Sequence, residues 1–199
     1  MSDADVLIIG SGGANLASLR YALERLGARS EVSTDRERVA GARRLLLPGV
    51  GAAADAMGRL HDAGLVATIR ALRQPLLGIC LGMQLLYEHS DEGATDCLGL
   101  LHGTVQRIES APGRPVPHMG WNTCDIRGAD PLLDGLGGGD YFYFLHSYAA
   151  PLTDASSAAV EYGASLCAVT ASGNFHGVQF HPERSGAAGA RLLRNFLEL

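Results

Sequence analysis

Short, wholly apolar runs alternate along this chain with stretches in which apolar residues return every three or four positions. Val6-Leu7-Ile8-Ile9-Gly10 has no polar face, as expected of a parallel strand covered on both sides. A helical pattern follows, with Leu16, Leu19, Leu23 and Leu26 on one face and Gly27 as its stop. Arg29 to Ser33 reads as a second strand, and Arg43 to Leu47 as a third that breaks at Pro48-Gly49-Val50-Gly51. Ala52 to Leu72 is helical in pattern with an interruption near Gly64, and the apolar run Pro75 to Ile79 is a fourth strand. A helix is expected from there to about His89. Strand and helix in such alternation imply a parallel α/β sheet with helices on both faces.

The texture changes after Ser90. Gly and Pro become more frequent, with a short strand expected at Thr104–Ile108 and a loop around residues 115–122. Tyr141 to Leu145 is strongly β-prone. Ala158–Tyr162 and Leu166–Ala171 form an expected antiparallel pair joined at Gly163-Ala164, Asn174–Phe180 a last strand, and Gly186–Leu199 a closing helix with Leu192, Leu193, Phe196 and Leu197 on its apolar side. The fold expected is α/β: an open, mostly parallel sheet with antiparallel strands in its C-terminal half. No repeat or linker divides residues 1–199, so one domain is expected.

Composition narrows the function. The 47% hydrophobic and 19% charged content is that of a globular protein, and a formal charge of −5 disfavours nucleic acid or an anionic membrane as the main partner. No stretch is long enough to span a bilayer, and no signal peptide is visible. Cys80, Cys97, Cys124 and Cys167 are widely spaced with no C-x-x-C pair, which argues against a zinc site or a redox motif and points to a reduced, cytoplasmic setting. The opening Gly10-Ser11-Gly12-Gly13-Ala14-Asn15, with Glu31 beyond, invites a dinucleotide reading, but Asn15 stands where the fingerprint needs Gly or Ala.

The sharpest signal is Gly78-Ile79-Cys80-Leu81-Gly82, where the fourth strand runs straight into a helix. This is the pattern of a nucleophile elbow, in which flanking glycines let a tight turn lift one side chain clear of the sheet. A cysteine nucleophile needs a base and a group to orient it. His181 is best placed, at a strand end with Glu183 two residues on and therefore on the same side of an extended chain. His146 is the rival, also at a strand end but without a nearby carboxylate; His118 has none either, and His61 and His89 fall in expected helices as solvated surface. The backbone N–H of Leu81 can serve one half of an oxyanion hole, and the loop Pro48-Gly49-Val50-Gly51 the other. His118, Met119 and Trp121 suit a docking face, since Trp and Met are favoured at interfaces, although Trp121 could equally fill the core.

Gly-Ile-Cys-Leu-Gly-Met-Gln at 78–84 and Gln-Phe-His-Pro-Glu at 179–183 resemble the class I glutamine amidotransferases, which use a Cys-His-Glu triad. Leu-Pro-Gly-Val-Gly at 47–51, Pro-His-Met-Gly-Trp-Asn at 117–122 and Tyr-Phe-Leu-His-Ser-Tyr at 143–148 are similar to the branch that provides ammonia to imidazole glycerol phosphate synthesis in the histidine pathway. The resemblance implies Cys80 as nucleophile, His181 as base and Glu183 as orienting acid, with Val50 and Leu81 as oxyanion donors. It implies glutamine held by Gly49, Gly51, Gln84, Glu92, Ser147 and Tyr148, and a docking stretch at His118, Met119, Trp121 and Asn122. It further implies no metal or organic cofactor, and a heterodimer with a barrel-shaped cyclase subunit. The family's usual Asp-Tyr-Gly-type turn after the first strand is replaced here by Gly10-Ser11-Gly12-Gly13. Rival readings are a glutaminase for anthranilate or pyridoxal phosphate synthesis, a cysteine peptidase or chaperone-like relative, and a regulatory subunit with a decayed site; the intact Cys80, His181 and Glu183 oppose the last.

Overall fold

The computed structural model describes residues 4–10 and 16–199. The glycine-rich segment after Gly10, with the departure noted there, lies outside the described residues. An eight-stranded sheet forms the centre. Its order runs from β2 (Ser30–Ser33) through β1 (Val6–Ile9), β3 (Leu45–Gly49) and β4 (Leu76–Cys80) to the strands Phe175–Val178, Ser165–Ser172, Ser156–Glu161 and Asp125–Ile126. Pairing is parallel from β2 to Phe175–Val178 and antiparallel beyond, as expected of the C-terminal half.

Side-chain alternation explains the layers. Val6, Ile8, Leu46, Leu77 and Ile79 point to one face, against Leu19 and Leu23 of α1 (Leu16–Arg25) and Leu192, Leu193 and Phe196 of the last helix (Gly186–Glu198). Leu7, Ile9, Leu45 and Leu47 point to the other, against α3 (Ala53–Asp62) and α4 (Leu65–Arg70), which Gly64 separates with a left-handed φ of 65°. Continuous apolar runs are required because both faces are buried. Among the described residues no helix is long and apolar enough to cross a membrane.

Four expectations need correction. β3 does not break at Pro48 but continues to Gly49, with Pro48 opposite Ile79 and Gly49 opposite Cys80. A short helix, α2 (Arg36–Gly41), has no counterpart among the expected elements; Asp35 caps it by accepting from the Arg38 N–H at 2.9 Å. The elbow helix α5 covers only Leu81–Gln84, and residues 87–90 form a strand that carries His89. Residues 81–87 are all buried, so no solvent face exists for an amphipathic helix, and the Leu85 and Leu86 carbonyls accept from the N–H groups of Leu98, Leu100 and Leu101 instead. Finally, the expected loop at 115–122 contains the strand His118–Thr123, paired antiparallel with Tyr141–His146 as a separate two-stranded ribbon.

The turn from β4 into α5 is packed backbone to backbone. A Cβ on Gly82 would overlap the Leu47 carbonyl of β3, and one on Gly78 would stand 2.6 Å from the Gly82 carbonyl oxygen. No flexible side chain can yield at either point. Gly82→Ala should therefore cost about 3 kcal/mol or more, at the upper end of ordinary overpacking, and urea denaturation of the purified variant checks it. Gly58→Ala, on α3, would place its methyl group with nothing within 4 Å, and should be neutral or slightly stabilising in the same assay.

Candidate active site

Cys80 ends β4 with φ 54° and ψ −112°, a conformation that costs a residue with a Cβ about 1–3 kcal/mol. Parallel pairing holds the strand end there: Gly49 of β3 stands opposite Cys80 on one side, and Val178 opposite Ile79 on the other. Its sulfur lies 3.7 Å from the Leu145 carbonyl and 3.9 Å from Nε2 of Gln179.

His181 follows the strand Phe175–Val178 and is fixed through its own backbone: its N–H donates to the Tyr143 carbonyl at 2.9 Å, and its carbonyl accepts from Ser185 Oγ at 2.6 Å. Nδ1 lies 2.9 Å from Oε1 of Glu183, which the short turn Pro182–Arg184 carries back toward the ring. With Nδ1–H donating to the carboxylate, Nε2 is left for Cys80. Burial alone would lower the pKa of His181, but the bonds to Cys80 and Glu183 outweigh it and push the imidazole up to about 10.

The rival His146 is differently occupied. Its Nδ1–H donates to the Tyr148 carbonyl at 2.8 Å, and Nε2 accepts from Nδ1–H of His118 at 3.0 Å. Burial lowers its pKa to about 4. Both nitrogens are engaged and the ring is neutral, so it is not placed to take a proton from Cys80. The other thiols are inert by environment: burial pushes Cys97 up to about 11 and Cys124 up to about 12, and raises Cys167 as well. All four cysteines are unpaired.

A cleft of about 360 Å³ opens at the carboxyl ends of the parallel strands. The structure brings together there Gly49, Val50, Gly51, Cys80, Leu81, Gln84, Glu92, Ser147, Tyr148, His181 and Glu183. Gln84 is tied by its Nε2 to the Tyr148 carbonyl at 2.7 Å, and Oε2 of Glu92 accepts from the Ala53 N–H at 2.8 Å, at the start of α3. Glu92 thus braces the helix that follows the glycine loop. Among the described residues no group of three or more His, Cys, Asp or Glu side chains is placed to hold a metal.

The expected docking stretch is not part of this cleft, and it divides in two. Met119 and Trp121 are 66% and 56% exposed, so Trp121 is a surface residue, set edge-on to Tyr143 at 5.9 Å. His118 is buried, stacked on Phe144 and Tyr162, so it does not form the exposed face, a correction to its docking assignment, whereas Asn122 is half-buried and donates to the Glu161 carbonyl. Strand alternation sends His118 and Met119 to opposite sides. Sequence reasoning missed Leu145 and Gln179, whose link to Cys80 depends on contacts across 65 and 99 residues.

The family described as Glutamine amidotransferase class-I matches residues 7–199. Over 98% of both chains, the sequence is 54% identical to "Imidazole glycerol phosphate synthase subunit HisH" of Xanthomonas euvesicatoria pv. vesicatoria and 52% identical to the protein of the same name from Xylella fastidiosa. Among solved structures, one described as a glutamine amidotransferase is similar with a TM-score of 0.75 at 24% identity, covering 97% of each chain. A putative GMP synthase component from Thermoplasma acidophilum is similar with a TM-score of 0.74 at 18% identity, over 97% of this chain and 92% of that one. These two likenesses concern the fold. Given a match from Leu7 to Leu199 and relatives more than half identical over 98% of their length, the chain belongs to the class-I glutamine amidotransferases.

Proposed function

We propose that this chain is the glutaminase subunit of an imidazole glycerol phosphate synthase, with Cys80, His181 and Glu183 releasing ammonia from glutamine. The observation that carries the assignment of roles is one cleft holding a strained elbow cysteine beside an imidazole that is itself hydrogen-bonded to a buried carboxylate.

Cys80 gives its proton to His181, and the sulfur attacks the side-chain amide carbon of glutamine. The developing oxyanion is stabilised by backbone N–H groups at Leu81 and Val50. His181, as imidazolium, protonates the departing nitrogen, ammonia leaves, and a thioester remains. The now neutral ring takes a proton from water, hydroxide attacks the thioester, and glutamate departs as the proton returns to sulfur. Glu183 accepts from Nδ1–H and keeps Nε2 aimed at Cys80. Gly49, Gly51, Gln84, Glu92, Ser147 and Tyr148 line the space for the amino-acid end.

The ammonia goes to a separate cyclase subunit in a heterodimer, which forms imidazole glycerol phosphate and an aminoimidazole carboxamide ribotide. The ribbon's outer face suits that contact, since Met119, Trp121, Tyr141 and Leu145 are exposed together on paired strands. Four unpaired thiols fit a reducing cytoplasm.

Cys80→Ala should abolish ammonia release from glutamine, while Cys97→Ser or Cys124→Ser protein that folds should retain most of it; substantial turnover by Cys80→Ala would remove the assignment. His181→Ala should be nearly as damaging, and Glu183→Gln should keep measurable turnover. The pH profile adds a signed test. His181 must carry a proton to release ammonia, so activity should hold through neutral pH and fall as pH rises toward about 10. Glu183→Gln removes one of the groups that raise the imidazole, and its alkaline limb should move toward neutral pH. Trp121→Ala should weaken binding of the cyclase subunit by roughly 30-fold or more, the effect of losing a central aromatic anchor, with glutamine turnover by the isolated chain as the control for folding.

A further inference from the structure

We propose that Gln179 is a positioning residue for the reaction: its side-chain amide, locked in one orientation by Gln84, aims an N–H at the Cys80 sulfur and favours the thiolate. The proposal rests on Cys80 being the nucleophile. Gln179 is fully buried, and its backbone N–H donates to the Ala168 carbonyl at 2.9 Å, so the side chain starts from a fixed point behind the Cys80 sulfur.

The orientation follows from hydrogen-bond bookkeeping. A carboxamide has one donor end and one acceptor end of nearly equal size, and only its neighbours decide between them. Gln84 faces the Tyr148 carbonyl at 2.7 Å, and a carbonyl only accepts, so Gln84 must present its NH₂ group there. That same nitrogen is 3.0 Å from Gln179, which must therefore present Oε1. The other end of Gln179, its NH₂, is then left against Cys80 at 3.9 Å. The Tyr148 carbonyl is anchored in turn, because Nδ1–H of His146 donates to it and His118 donates to His146. Flipping Gln179 would set two NH₂ groups against each other and an oxygen against the sulfur.

The sulfur thus lies between opposing influences. The Leu145 carbonyl at 3.7 Å accepts from the thiol and favours S–H, whereas the Gln179 N–H and the His181 imidazolium favour S⁻. A donor that costs no reorganisation when charge appears is the means by which a buried site stabilises an anion. Gln179→Glu separates this role from that of a strut. The carboxylate still accepts from Gln84, but it has no N–H for the sulfur and sets a negative charge beside it.

The test is the pH dependence of iodoacetamide alkylation at Cys80 in the full chain, read by mass spectrometry of the Cys80 peptide, with glutamine kinetics in the complex. Gln179→Glu should alkylate at least about tenfold more slowly at pH 7, with the profile moved by one pH unit or more to the alkaline side. It should lower kcat with little change in KM. Gln179→Met, uncharged and without a donor, should slow alkylation about three- to tenfold. Profiles identical to the parent in a folded variant, with only KM raised, would overturn the proposal and leave Gln179 as a support for Gln84. In the unmodified chain, the side-chain NH₂ resonance of Gln179 should shift with the same midpoint as Cys80 alkylation, and a resonance indifferent to that titration would overturn it without any variant. If Cys80 of the parent chain failed to alkylate at all, the nucleophile assignment itself would fall instead.

Discussion

The close approach of three backbones at the end of β4 is the constraint on which the site depends. Gly82 sits against the Leu47 carbonyl with no room for a methyl group, and Gly78 sits under the first turn of α5 in the same way. Because α5 is pressed onto β3, the chain must reverse within one residue, and Cys80 takes up the positive φ that this reversal demands. A residue held in such a conformation persists only where its surroundings over-determine it. Here parallel strands on both sides do so, and they contribute the rest of the site as well. β3 ends in the loop at 49–51, and Phe175–Val178 leads to His181. Strain at Cys80 and convergence of the catalytic groups are consequences of one packing arrangement.

Two imidazoles lining the same cleft show how partners decide chemistry. His181 faces a carboxylate and a sulfur, and is pushed up to about 10. His146 faces a backbone carbonyl and a second neutral imidazole, and burial takes it down to about 4. Desolvation acts on both in the same direction, so the divergence comes from what each ring is bonded to. One ring can hold and return a proton at neutral pH. The other is a structural donor, and its fixed tautomer keeps the Tyr148 carbonyl in place.

Legibility in the sequence follows the range of the interactions. The elbow is readable because its glycines, its cysteine and the flanking apolar run are adjacent, and the His181–Glu183 pair because two residues on one extended strand share a side. The parallel half of the sheet is readable from apolar runs without a polar face. The elbow helix reads too long because Leu81, Leu85 and Leu86 match a helical period, yet pairing with Leu101–Arg107 claims the backbone from Tyr87 onward. The first strand of the ribbon reads as a loop because its alternation is inverted in chemical type, with an imidazole inside and Met119 and Trp121 outside. Gln179 reads only as the first residue of the 179–183 motif, with no role attached, since that role depends on Gln84, 95 residues away, for its orientation.

The ribbon's inverted pattern also bears on the nucleophile. Its outward residues, Met119, Trp121, Tyr141 and Leu145, form an apolar surface that a partner can cover, while its inward residues, His118, Phe144 and His146, are core. Leu145 belongs to both sides. Its side chain lies on the exposed face opposite Met119, and its carbonyl is the acceptor 3.7 Å from the Cys80 sulfur. One residue further on, His146 holds the Tyr148 carbonyl, which fixes Gln84 and through it Gln179. The acceptor on one side of the sulfur and the donor on the other are therefore both referenced to this single strand. Since a strand moves as a unit and not residue by residue, whatever sets the position of the ribbon sets the polar environment of the sulfur at the same time.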